Sequence, residues 1–515
     1  MWLKLTFLML TQVPLERPLS PMDSVVQAAA DCSKLQPGYA SYTRYLSLYN
    51  LPAAERIKAI AVLNGHCNML SREPDLIPVS IVPGTLGSLV RINLQDYRWS
   101  GELWEKLSDP YFTDRVDETE VVVIWYALKK GDTWQKGRPW EDGKVYDKPF
   151  TVGADFPAVT EIRRKGGGKN VQALAPWLTT TPEGKNAVET LVRLTGSRIP
   201  VVRADWFFNQ TAAAAGRSPN YYDFLGVKDE ASFQRAIGAD IKLAEEFGAE
   251  LREAVAISGV TLNPRAIVRH PTLGGGYWRT FDFKTSKGDK NPLKVLGKDV
   301  EASYDATEQF GHLPNGLWAT FLGNRKGEVQ ATAPDDIASD GFARGTDRRV
   351  HSNVSCVRCH SDGGLQPIDG WARNLLEPPF AITTLDYQRA RDLRRQYLRK
   401  LEPFLTKDRL VYELSIQEVT GLKTSKEFSA AYAATWERYE DARVDLARAA
   451  ADLGCTPKEF EQDLMVQVKA NYGSTVLSAL LGKGIRPRAI PVRVWEEAYP
   501  EAQAIRQRQN AVKGN

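Results

Sequence analysis

Five consecutive residues, Cys356-Val357-Arg358-Cys359-His360, constrain this chain more than any other segment. Two thiols three positions apart, followed at once by an imidazole, converge on a tight turn. With five cysteines and five histidines in 515 residues, chance would give this pattern in about 5 of 10,000 such chains. The spacing is that of haem c attachment. The thiols reach the two vinyl groups on one edge of the macrocycle, and the imidazole reaches the iron from one face. One covalent haem c is therefore expected, held by Cys356 and Cys359, with His360 as iron ligand.

Two other chemistries use part of this pattern. A thioredoxin-like dithiol wants a strand-to-helix position in a βαβ unit and leaves His360 without a role. A structural zinc site needs four nitrogen or sulfur ligands, which Cys356, Cys359, His360 and His351 would have to supply. The remaining cysteines, Cys32, Cys67 and Cys455, are too scattered for a disulfide framework. In an oxidising compartment Cys32 and Cys67 either pair or stay as two separately buried thiols.

The second axial position is less constrained. Beyond the first residues the methionines are Met22, Met69 and Met465. None follows His360 at the distance where small c-type cytochromes, which the motif resembles, place theirs, so a methionine ligand is disfavoured. His270 is the favoured histidine. Arg269-His270-Pro271 leads into Gly274-Gly275-Gly276 and the aromatic pair Tyr277-Trp278, and small residues let backbone approach a flat macrocycle closely. His312 and His351 are the competitors, and a five-coordinate iron would leave a position open for a small ligand.

The rest of the chain reads as an α+β protein: a mixed helix and strand body, an aromatic β-hairpin region before the motif, and a helical C-terminal subdomain. Four regions are expected. Residues 1–80 form an N-terminal helical region, with a weak leader within 1–30. Residues 81–198 form a mixed α/β region with basic loops at Lys129–Lys148 and Arg163–Lys169. Residues 199–375 carry the haem attachment, and 376–515 the C-terminal helices. Leu89–Leu94, Val121–Tyr126, Tyr277–Phe283 and Leu317–Leu322 are the strand candidates, with a hairpin turn at Gly323–Gly327. Helices are expected at about 23–70 and Leu385–Leu401, then from Lys426 to a stop at Gly454, with Phe428, Tyr432, Trp436 and Tyr439 as a core stripe. Thr456-Pro457-Lys458-Glu459 is a capping box that starts another helix.

A net charge of +4 gives no electrostatic case for nucleic acid. No run approaches the ~20 apolar residues of a membrane span, so no integral membrane segment is expected. Walker-type, nucleophile-elbow and His-Glu-x-x-His motifs are lacking.

Several segments resemble a family of uncharacterised bacterial exported proteins with a single haem c motif late in the chain. They are Arg91–Trp99, Arg203–Phe207, Ser258–Val260, Arg269-His270 with Gly276–Trp278, Leu313–Leu317 and Ser355–His360. The resemblance implies one long cooperative unit and favours His270 over His312 and His351, but carries no reaction with it. The resemblance of the motif to c-type cytochromes implies attachment outside the cytoplasmic membrane, hence a periplasmic or otherwise exported protein. The leading expectation is an exported mono-haem protein in electron transfer with a redox partner protein. Its competitors are a peroxidase-like haem oxidoreductase, a haem-based sensor or binding protein, and the zinc protein above.

Overall fold

The structure is a computed structural model. It describes residues 18–117, 120–124, 161–165, 170–214, 218–255, 263, 265–284, 304–334, 338–341, 343, 348–364, 388, 397, 400–440, 443–469, 475–481 and 489–513. The basic loop Lys129–Lys148, the segment Ser258–Val260 and nearly all of the helix expected at Leu385–Leu401 lie outside these residues.

The fold is α+β, with helices packed around two principal sheets. The first sheet contains β1 (Thr43–Ser47), β2 (Ser80–Ile81), β3 (Leu89–Asn93) and β4 (Val201–Arg203) in the order β2-β3-β1-β4. β3 runs antiparallel to both neighbours, and β4 lies parallel to β1. The helix expected over 23–70 is therefore two helices with a strand between them: α1 (Pro21–Cys32), β1, then α2 (Ala53–Met69). All five residues of β1 are buried, so it shows none of the alternation that reveals a half-exposed strand. Ser20 starts α1 with a capping box to Asp23 and Pro21 in the first turn.

The second sheet is an antiparallel meander in which every strand pairs with its neighbours in sequence: β5 (Leu251–Val255), β6 (Arg265–Thr272), β7 (Gly275–Asp282), β8 (Ala306–His312) and β9 (Trp318–Asn324). It contains the expected aromatic hairpin, although the turn joining β8 to β9 is Leu313–Leu317. The turn at Gly323–Gly327 also forms, closed by the Gly327 amide on the Asn324 carbonyl (2.9 Å). Arg163–Lys165 belongs to a strand, Glu161–Lys165, rather than a loop.

Register fixes which residues share a face of this sheet, because partners across a ladder point the same way and successive residues point opposite ways. Arg269 pairs with Trp278 and Trp278 with Phe310, so these three share one face with Glu308 and His312. His270 pairs with Tyr277, which puts both on the other face. Each face is covered by its own apolar cluster. Trp278, Phe310 and Trp318 pack with Val354 and Cys356, whereas Tyr277, Ala319 and Phe321 pack with Phe233 and Ile237.

The motif lies on α3 (Val354–Cys359), followed by α4 (Glu402–Thr420) and α5 (Ser425–Glu440). The helix expected to run on to Gly454 stops at Glu440, and Leu446–Asp452 forms a separate helix capped by Asp445. The capping box at Thr456 and Glu459 forms and starts Pro457–Lys469. Among the described residues no helix is long and apolar enough to cross a membrane.

Candidate functional site

Two kinds of anchor hold the short α3. Asn353, at φ 64°, turns the chain into the helix, and its side-chain amide donates to the Ala212 carbonyl (2.9 Å) and the Tyr432 hydroxyl (2.9 Å). The Ser429 hydroxyl on α5 donates to the Val357 carbonyl (2.7 Å). Arg358 pairs with Asp340 and with Glu437. A helix of six residues is too short to be stable by its own hydrogen bonds, so these contacts decide its conformation.

Behind Asn353 the hydrogen bonds form a chain with one direction. Thr211 gives its hydroxyl proton to the Phe207 carbonyl (2.8 Å), so Thr211 Oγ1 accepts from His66 Nε2 (2.7 Å). With its proton on Nε2, the neutral His66 accepts at Nδ1 from the Tyr432 hydroxyl (3.0 Å), whose oxygen accepts from Asn353. Burial depresses the His66 pKa to about 3, so the ring is neutral.

Within the motif, Cys356 and Cys359 lie one turn apart, and the His360 amide caps the turn on the Cys356 carbonyl (2.8 Å). Cys356 is buried and Cys359 partly exposed. Burial, reinforced by carboxylates, raises Cys356 well above the ordinary thiol range and pushes Cys359 up to about 12. Dithiol exchange depends on a lowered thiol pKa, so this environment is unlike that of a redox-exchange pair.

The His360 ring packs against Phe310 (centroids 4.4 Å apart) and lies near Trp318 (6.4 Å). Its Nδ1 lies 3.1 Å from the Gly364 carbonyl. A carbonyl only accepts, so Nδ1 carries a proton, and Nε2 is the nitrogen turned away from Gly364. Facing Nε2 is a group that the sequence reading missed. Glu308 Oε1 stands 3.8 Å from His360 Nε2 and 3.7 Å from Cys356 Sγ. Burial alone would raise the Glu308 pKa, but His360 beside it and the charge of Arg265 outweigh it and hold the carboxyl at about 2. Arg265 lies 3.3 Å from the Glu308 carboxylate and grips Asp282 with two bonds, at 2.6 and 3.0 Å. The available signal was one acidic residue alternating with Phe310 and His312 in an otherwise core-like strand.

The structure does not bring His270 to His360. His270 lies on the far face of the sheet, where its ring packs by Tyr277 (5.8 Å) and its Nδ1 is 4.0 Å from Glu250. His312 shares the motif's face, but both its nitrogens are engaged. Nε2 lies 2.8 Å from Trp318 Nε1 and 3.0 Å from the Asp408 carbonyl, and Nδ1 lies between the Gly276 amide (3.1 Å) and the Gly276 carbonyl (3.0 Å). The three glycines expected to admit a macrocycle instead admit protein. A Cβ at Gly274 would strike the Leu313 carbonyl, at Gly275 the His312 ring, and at Gly276 the Asp408 carboxylate. His351 pairs with Thr332 in a β-bridge and packs by Trp436. Among the described residues no three His, Cys, Asp or Glu side chains converge to hold a metal ion, so the structure does not assemble a zinc set around His351. Cys32 and Cys67 are separate free, buried thiols.

No protein-family model, no curated protein and no solved structure matches the chain.

Proposed function

We propose that this protein carries one haem c, bound through Cys356 and Cys359 with His360 as iron ligand, and serves electron transfer outside the cytoplasmic membrane with a protein redox partner. The observation that supports this best is the state of His360. A metal-binding imidazole characteristically donates its second nitrogen to a carbonyl or carboxylate, which fixes the ring and raises its basicity. Here Nδ1 is committed to the Gly364 carbonyl, which fixes the ring on the turn that also carries both thiols. The donor set fits the group: two neutral thiols one helical turn apart and an imidazole oriented by Gly364 beside them.

When bound, the haem supplies a one-electron iron couple. The chain's own residues hold it and shape its surroundings. The two cysteines would anchor one edge, His360 is oriented by Gly364, and Phe310 packs on the His360 ring with Trp318 near it.

Expression of the full chain in a haem-c-competent host tests the proposal. Haem should stay with the polypeptide on a denaturing gel and be lost in the double variant Cys356→Ser, Cys359→Ser. A wild-type chain that is folded, exported and free of covalent haem would refute it.

A further inference from the structure

Where α2, α5 and the helix Ala204–Thr211 face one another, the sequence supplies small side chains. Ala54 and Ala59 on α2, Ala204, and Ala431 and Ala434 on α5 border a cavity of about 330 Å³. Protein interiors are normally filled, and this volume lies in the range of small-molecule sites. Its lining is graded. Val62, Leu63 and Phe208 are at most 3% exposed and form an apolar floor. Glu55 and Lys58 of α2 and Arg438 of α5 are exposed, so the mouth is charged, and Arg448 from the helix Leu446–Asp452 stands half-buried beside them.

The charges at the mouth do not balance. Three cations, Lys58, Arg438 and Arg448, stand against two carboxylates, Glu55 and Asp205. Glu55 pairs with Arg438, tying α2 to α5. Asp205 accepts from Arg203 Nε (2.6 Å) and Asn50 Nδ2 (3.1 Å), so its charge is answered inside the protein. Arg448 Nη1 donates to the Arg438 carbonyl (3.0 Å). Among the described residues neither Lys58 nor Arg448 has a carboxylate within ion-pairing distance.

We propose that this cavity binds an amphipathic organic anion, a carboxylate carrying an apolar chain. The head lies between Lys58 and Arg448 and the chain against Val62, Leu63 and Phe208. Each methylene that leaves water for the floor favours binding, and ammonium and guanidinium donors give a carboxylate the stronger, charge-assisted kind of hydrogen bond. A neutral amphiphile leaves that second contribution unused, and a cationic one is repelled. No residue of the Cys356–His360 motif lines the cavity, so the proposal stands apart from the haem reading.

Isothermal titration of the full chain with octanoate, kept below its micelle concentration, is the test. Wild type should bind one octanoate saturably, and 1-octanol, the same chain with a neutral head, about fivefold or more weaker. Replacing both cations, Lys58→Gln with Arg448→Gln, should weaken octanoate by about tenfold and leave octanol within about twofold. If that double variant does not fold, Lys58→Gln alone, at an exposed side chain, should still weaken octanoate by about threefold. Ala59→Trp fills the cavity from α2 and should abolish binding of both; if it does not fold, the charge variants decide. The proposal is overturned by a wild type that does not bind octanoate saturably, by octanol binding as tightly, or by octanoate affinity indifferent to the lost charges. Binding that survives in a folded Ala59→Trp overturns it too. None of these outcomes touches haem attachment.

Discussion

His66 and Glu308 show how much a single residue's meaning depends on what surrounds it. Nothing in the segment Leu63-Asn64-Gly65-His66-Cys67 marks His66 as more than a helix residue, yet it ends up neutral between Tyr432 and Thr211. Its folded pKa, near 3, lies below the ordinary value of 6.5. Between those two pH values the unfolded chain binds the proton and the folded chain does not, so this contribution to stability is lost as pH falls through that window. The slope has a ceiling of about 1.4 kcal/mol per pH unit for one proton. Asp109 works against it: burial pushes its carboxyl up to about 7, so it stabilises the fold as pH falls over the same range. The measurement is therefore a comparison, with urea unfolding at pH 7 and pH 5 in wild type and His66→Gln. Wild type should lose more stability, or gain less, than the variant, and equal responses would show that His66 does not carry the effect. The motif itself was legible at this scale because its chemistry lies in residue type and spacing. Glu308 was not, because its place beside His360 comes from register across β7, β8 and β9.

At the scale of elements, local signals worked where an element's own residues decide its ends. The Thr456 capping box and the aromatic stripe of α5 formed as expected. They failed where tertiary contacts decide: β1 is buried on both faces, and α5 ends at Glu440 where periodicity ran on. α4 is docked onto the second sheet by Asp408, whose carboxylate accepts two bonds from Arg269 (both 2.9 Å) and one from Trp278 Nε1 (2.8 Å). Removing one partner of a buried ion pair typically costs about 3–5 kcal/mol, because the other charge is stranded. Asp408→Ala should therefore lower the unfolding free energy by that order in denaturant titration. A loss under about 1 kcal/mol would mean that Arg269 finds another partner or that water reaches it. The same docking explains Gly276, whose missing side chain leaves room for the Asp408 carboxylate.

At the scale of the molecule, the regions that look separable along the chain share one interior. A single apolar cluster contains Val25 from α1, Tyr45 from β1, Phe321 from β9 and Trp495 from the last helix. Arg203 locks these parts together. It is fully buried, lies over the Tyr111 ring (3.1 Å), and pairs with Asp205 (2.6 Å) and with Asp452 (2.9 Å), almost 250 residues away. Arg203→Ala would strand two carboxylates and should cost about 3–5 kcal/mol. Calorimetry should show one shared transition moving down; a variant in which only one part melts early would argue for independent domains. The sequence by itself determined the α+β class, two aromatic strands of the meander (β7 and β9) and the Cys-x-x-Cys-His spacing, since these follow from periodicity and spacing within short windows. Only the tertiary structure decided what faces His360. Sheet alternation sent His270 to the far side, tied up His312 and brought in Glu308, because a strand's face is set by pairing with strands distant in the chain.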